Sequence, residues 1–418
     1  MPMPKWWSRN ISQFILVIAI ALMAGLYRDG FPALFPFMRT EFGVSRAALG
    51  MYVSLLYLVS AALAVVAGHL ADQFGAKRAL FWGAGSLGLL ILLHVPAPTF
   101  STLLLLGVIS GVGFSIIGPG TNKIVADRFP AEVRGTPMGL MFVGWSAGGL
   151  LGALILPTVG EYFGWRMATL VMGLATLAVV GVFQLRYREV SAGGTDDSRD
   201  RPVDSRGGLE SFREGFAALI SDRYMLLLCV AGLVLGAISG TMATHYTLYL
   251  HLDLGYPEAL AGLGFAFLHA GSIAGRPTWG LINDRLLGGR EGLGFLLISI
   301  STALILLVFA GLARMFEAPP MAVLFGLTFL AGFSGRGWPG ILFAGVARRM
   351  EGSHAGMAMG FALVFVRLGI TLAPPVFGYV ADLTGAYDVS WLMASIMALG
   401  SGVILYALGL GDDVAEGR

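Results

Sequence analysis

Apolar residues in this chain gather into long runs broken only by short polar turns. The runs cover 11–34, 47–70, 79–97, 101–126, 137–160 and 166–186, then 224–250, 259–283, 292–313, 319–347, 354–380 and 389–410. Each is close to the ~20 residues an α-helix needs to cross the apolar layer of a bilayer. A transmembrane β-strand needs only about 9–11 alternating residues, so these stretches predict helices and not a barrel. The pattern predicts an all-α membrane protein of twelve transmembrane helices in two pseudo-symmetric six-helix bundles, 1–186 and 223–418. Between them, 187–222 is the one long hydrophilic stretch: 11 of the 26 residues from Glu189 to Glu214 are charged, with Gly-Gly at 193–194 and 207–208. Mixed charge and glycine read as a solvated linker, too short for an enzymatic or sensory output domain.

The halves echo one another. Gly68-x-x-x-Asp72 follows the second run and Gly280-x-x-x-Asp284 the eighth, 212 residues apart, while Glu161-x-x-Gly164 and Asp382-x-x-Gly385 repeat at a spacing of 221. Composition agrees: 56% of residues are apolar and 12% charged, about half the ~25% charge of a soluble domain. Cys229, the single cysteine, excludes an internal disulfide. Of the 27 Lys and Arg, 18 fall on the face that holds both chain ends, 4 on the opposite face and 5 inside runs. By the positive-inside rule this predicts a multi-pass protein of the cell (inner) membrane with both termini cytoplasmic. Lys5, Trp6, Trp7 and Arg9 read as an uncleaved interfacial anchor. A net charge of +2 without a basic patch gives no reason to expect nucleic acid. No Walker loop or His-Glu-x-x-His occurs, so neither an enzyme nor a cofactor is expected, and a monomer is.

Polar groups inside the runs single out the chemistry. Of 25 acidic residues only Asp29 lies well inside a run, against Arg28, Arg276, Arg336 and Arg367. Each Arg in a membrane costs roughly 2.5–3.5 kcal/mol, so four cost about 10–14 kcal/mol before compensation. One carboxylate cannot neutralise them, which implies a water-filled cavity, an anionic substrate, or both. Adjacent positions on a helix lie about 100° apart, so Arg28 and Asp29 need not pair, and Asp29 is the candidate proton carrier. His269, Ser272 and Arg276 share one helix face. Gly335-Arg336-Gly337-Trp338-Pro339-Gly340 should break its helix. His245, Asn122 beside Thr121, and Tyr27 complete the candidate substrate groups.

Gly68-His69-Leu70-Ala71-Asp72-Gln73-Phe74-Gly75-Ala76-Lys77-Arg78 resembles the loop 2–3 signature of the major facilitator superfamily, departing from it at Gln73. Arg134-Gly135, Gly164-Trp165-Arg166 and the 382–387 segment are similar to further landmarks of that superfamily. The resemblance implies secondary transport by alternating access, with Asp72, Lys77, Arg78, Asp284 and Arg285 in gating. Within the superfamily, Ala274-Gly275-Arg276-Pro277-Thr278-Trp279-Gly280-Leu281 resembles a stretch of monocarboxylate transporters in which the Arg is associated with the carboxylate. His245 to Leu250 with Asp253, and Glu41 to Arg46, are similar to bacterial relatives of that group. These likenesses imply a proton-coupled symporter of a small organic anion, with an anion exchanger and a proton-coupled drug-efflux antiporter left as alternatives.

Overall fold

A computed structural model describes residues 5–129, 135–189, 216–217, 219–316, 319–349 and 355–410. Arg134 and most of the expected linker lie outside these residues, as do the side chains of the expected Lys5–Arg9 anchor. The first span joins α1 (Lys5–Gly25) to α2 (Phe35–Phe42) through a π-helical turn, Leu26–Gly30, and a 3-10 turn, Phe31–Leu34. The second joins α3 (Arg46–Ala62) to α4 (Ala64–Phe74) with a 58° bend. Single helices follow: α5 (Ala76–His94), α6 (Phe100–Arg128), α7 (Gly135–Phe163) and α8 (Trp165–Arg186). The second half repeats the plan with α9 (Arg223–Leu252), α10 (Glu258–Arg285) and α11 (Glu291–Met315), then the broken pair α12 (Met321–Gly335) and α13 (Pro339–Arg349), then α14 (Ala355–Thr384) and α15 (Asp388–Leu405). The described residues contain no strand, and the twelve spans alternate between the face holding the linker and the opposite face.

Nine of these helices are long and apolar enough to cross a membrane outright, and the bent α3–α4 pair makes a tenth. The other two crossings carry the chemistry. α10 is made less apolar by His269 and Arg276, and α12–α13 is interrupted at Arg336. The first span runs past its expected end at 34 to Phe42 because Pro32 and Pro36 stand in the first turns of their segments, where a missing N–H costs no hydrogen bond.

The halves meet closely at the face opposite the linker. Asp382, at the end of α14, accepts hydrogen bonds from the N–H groups of Arg46 and Ala47 at the start of α3, both 2.9 Å. Glu161, at the end of α7, accepts from the N–H of Ala259 at the start of α10, 3.1 Å. The sequence echo of Glu161 and Asp382 is thus a matched pair of caps on helix starts in the other half. Arg46 is buried between Asp382 and Asp253: it donates to the carbonyls of Ala381 and Gly385 and lies 3.7 Å from the Asp253 carboxylate and 5.1 Å from the Tyr387 ring centroid. Gly50 and Gly378 press α3 against α14: a Cβ on Gly50 would stand 2.6 Å from the Pro374 carbonyl oxygen, and one on Gly378 2.6 Å from that of Arg46.

Candidate functional site

At mid-depth the first span leaves α geometry where it meets α7. A Cβ on Gly25 would lie 2.0 Å from the Trp145 carbonyl oxygen, and one on Gly148 2.0 Å from that of Leu22. Gly30 and Gly152 touch in the same way, backbone on backbone. Small residues let membrane helices approach this closely, and the approach fixes the π turn that carries Arg28 and Asp29. Gly149 faces side chains of both halves: a Cβ there would be 2.7 Å from both Asp29 Cβ and His269 Cε1. First, fifth and eighth spans therefore converge on Asp29.

Arg28 donates directly to the Asp29 carboxylate. This corrects the expectation that neighbours on a helix need not pair: the long Arg side chain folds back to the one carboxylate at this depth. Arg336 reaches the same carboxylate from the other half, Nη2 to Oδ1 3.6 Å. It gets there because α12 ends at Gly335 and α13 begins at Pro339, as the glycine and proline run predicts. The opened turn is satisfied locally: Ser239 donates to the Gly335 carbonyl, 2.9 Å, and Trp338 Nε1 donates to Ser239 Oγ, 2.9 Å. Trp338 is thus committed to the break. Arg276 donates from Nη1 to Ser146 Oγ on α7, 2.8 Å, a second bridge between halves. Its helix is held against α12 by glycines: a Cβ on Gly271, Gly275 or Gly332 would fall 2.0, 2.2 or 1.9 Å from a carbonyl oxygen of the other helix.

Charge and hydrogen bonding at this site are unbalanced. Arg28, Arg276 and Arg336 face one carboxylate, and Arg367 lies within Coulombic reach of Arg28 and of Tyr57. Arg28 Nε, Arg276 Nε, Arg336 Nη1 and His269 Nε2 are buried with no hydrogen-bond partner among the described residues. Unpaired buried donors are costly, and planar guanidinium forks are suited to a carboxylate. Such an arrangement, drawn from both halves, is chemically able to accept an anion.

Three expected substrate groups stand apart from it. Tyr27 pairs with Tyr52, Oη to Oη 2.7 Å, and Tyr52 with His94, 2.8 Å, inside the first half. His245 is fully buried with both ring nitrogens engaged, by Tyr387 Oη at 3.0 Å and the Pro374 carbonyl at 2.8 Å. Asn122 is exposed, and the neighbouring Thr121 hydroxyl donates back to the Ile117 and Gly118 carbonyls. Sequence reading missed Tyr57, Ser146 and the ring of Trp145; polar or aromatic residues at interior depth were a signal, but their facing was not. On the linker face, Asp72 pairs with Lys123 on α6, 3.2 Å, and Asp284 with Arg348 on α13, 3.5 Å. The Lys77 N–H donates to Glu189, 3.4 Å, while Arg78 and Arg285 are exposed. Two surface clefts, beside Gln13 and Arg188 and beside Asp222 and Arg349, are separate from the arginines.

A bundle of twelve spans in two halves around a shared polar centre has the architecture of a membrane transporter. The Major Facilitator Superfamily profile matches residues 17–347, and the chain belongs to that family. It is 25% identical over 382 residues to the gentisate transporter of Corynebacterium glutamicum, covering 88% of this chain and 80% of that protein. It is 26% identical over 306 residues to the multidrug resistance protein MdtG of Serratia proteamaculans, covering 71% of each. In fold it is similar to a bacterial homologue of the human lysosomal transporter Spinster, solved inward-facing and unoccupied, with a TM-score of 0.77 and 16% identity over 98% of this chain and 97% of that one.

Proposed function

We propose that this protein moves a small organic anion, a monocarboxylate, together with protons, and that Arg276 and Arg336 hold the carboxylate. The observation that carries this reading is that Arg28 and Arg336, one from each half, share Asp29 while Arg276 beside them has only Ser146, with four buried polar atoms unpaired among the described residues. Likeness to a gentisate transporter supports an organic anion; the excess of guanidinium disfavours the cationic substrates that a drug-efflux reading would include. Coupling follows from competition. A substrate carboxylate on Arg336 takes a cation that Asp29 now shares, and two carboxylates fit one crowded fork best when one of them carries a proton. Substrate and proton then enter together, which is the linkage that symport requires. Arg367 adds positive field to the path.

The orientation read from Lys and Arg places the linker face in the cytoplasm, and the caps by Asp382 and Glu161 then close the outer face. Uptake of benzoate or lactate into proteoliposomes tests the function. Accumulation driven by an imposed pH gradient, without any internal counter-anion, is expected. Uptake that needs an internal anion and ignores the gradient would identify an exchanger instead.

A further inference from the structure

Beside the arginines stands a row of aromatic rings. We propose that the substrate's carboxylate is attached to a flat aromatic ring, and that Trp145, Phe114 and Tyr57 select it. The inference rests on the anion reading above and adds the body of the molecule to its charged head. Arg28 lies over the Trp145 ring, 5.0 Å to its centroid. Phe114 meets Trp145 edge to face at 5.6 Å and 84°, and Tyr57 meets Phe114 in the same manner at 6.4 Å and 66°. The three rings come from α7, α6 and α3, so three spans of the first half supply one ring each. Tyr57 also lies within Coulombic reach of Arg28, Asp29, Arg336 and Arg367, which places the row against the charged centre.

Neighbouring residues of α7 meet two of the arginines. Trp145 precedes Ser146, whose hydroxyl receives Arg276. Trp145 and Ser146 thus bring Arg28 and Arg276 to the same stretch of α7. Trp145 and Phe114 are nearly buried, while Tyr57, Arg28, Arg276 and Arg367 are partly exposed at mid-depth.

Edge-to-face and offset contacts favour a planar π system over a puckered ring of the same size, and guanidinium planes stack on such rings as well. The carboxylate anchors Arg276 and Arg336 belong to the second half and the rings to the first, so an aromatic acid would touch both halves at once. An aliphatic acid of the same charge meets the anchors but gains little from the rings.

Benzoate and cyclohexanecarboxylate separate head from body, because they share the carboxylate and nearly the same size. Binding to the purified full-length protein should favour benzoate by about tenfold. Trp145→Leu and Phe114→Leu should each remove most of that preference while leaving cyclohexanecarboxylate affinity within about threefold, and Trp145→Phe should retain it. Unchanged cyclohexanecarboxylate binding shows that each variant is folded. Equal affinity for the two acids in the wild type, or equal loss of both in Trp145→Leu, overturns the aromatic proposal. If both bind equally and Arg276→Lys weakens both, the anion reading stands and the aromatic one falls; if neither acid binds, both fall.

Discussion

Asp29 is the residue on which the site turns, since it is the acceptor for Arg28 and stands 3.6 Å from Arg336 of the other half. Asp29→Asn resembles the protonated carboxyl and leaves the arginines free for substrate. The variant should bind the anion and exchange it, yet fail to concentrate it against a gradient. Proteoliposome uptake with and without a pH gradient checks this, and accumulation by the Asn variant would move the coupling role to His269, whose Nε2 is buried and unpaired. At Arg276 the fork matters more than the charge. Arg276→Lys should weaken carboxylate binding by about tenfold or more, because an ammonium cannot bond both oxygens while also holding Ser146; wild-type affinity in a titration would remove Arg276 from the site. At this scale the sequence shows which charges are out of place in an apolar run, but not their partners. Asp29 and the four arginines stood out by context alone. Tyr27 and His245 stood out as well, and their polar atoms are used up by Tyr52, Tyr387 and Pro374. A hydroxyl or imidazole in a helix can turn to a neighbouring span, and only packing says which.

Helices bring these residues together through glycine contacts and deliberate irregularity. The π turn at Leu26–Gly30 and the break between Gly335 and Pro339 each place an ionic side chain at mid-depth, and both are braced by backbone-to-backbone packing. α10 and α12 illustrate the bracing, with Gly271, Gly275 and Gly332 each meeting a carbonyl oxygen of the facing helix. A side chain added there must push the helices apart. Gly275→Val should therefore destabilise the protein by about 1–3 kcal/mol and displace Arg276 from Ser146, lowering both the thermal midpoint and anion affinity. A midpoint and affinity equal to wild type would show that α10 does not depend on this contact. The twelve spans themselves were legible, since long apolar runs have no other stable fold in lipid. The Arg336 break was legible too, because Gly-x-Gly-x-Pro-Gly cannot sustain a helix. The π turn was not: Arg28 and Asp29 mark Leu26–Gly30 as polar, but residue type does not fix its winding, which comes from the approach of α7.

Opening and closing belong to the whole molecule, and the two carboxylate caps show what must break. Asp382 holds the start of α3 and Glu161 the start of α10, each across the boundary between halves. On the linker face the repeat-related Asp72 and Asp284 are instead tied within their own halves, to Lys123 and Arg348. The two faces therefore differ, one latched across the boundary and one whose repeat-related carboxylates are exposed and paired within their own halves. For Asp72→Asn, slower transport with equilibrium affinity kept within a few-fold is expected, and a large loss of affinity in a binding titration would place Asp72 at the substrate instead. The echo of Glu161 and Asp382 could be seen in the sequence, but their role could not, because it joins residues 98 and 336 positions apart. A carboxylate at a helix start contributes about 0.3–1 kcal/mol when exposed and up to ~2 kcal/mol when partly buried. Asp382 is the better shielded, with a side chain 22% exposed, and it takes two N–H groups where Glu161 takes one. Asp382→Ala should accordingly shift the population toward opening on that face by about tenfold, since 1.4 kcal/mol is a factor of ten, and Glu161→Ala by less. Thr371, buried in α14 where its carbonyl receives Ser54 of the first half, reports the opening. With Cys229 replaced by Ser, a Thr371→Cys reporter should be alkylated from the face opposite the linker about ten times faster in the Asp382→Ala background. An unchanged rate would show that the caps follow closure of that face without holding it.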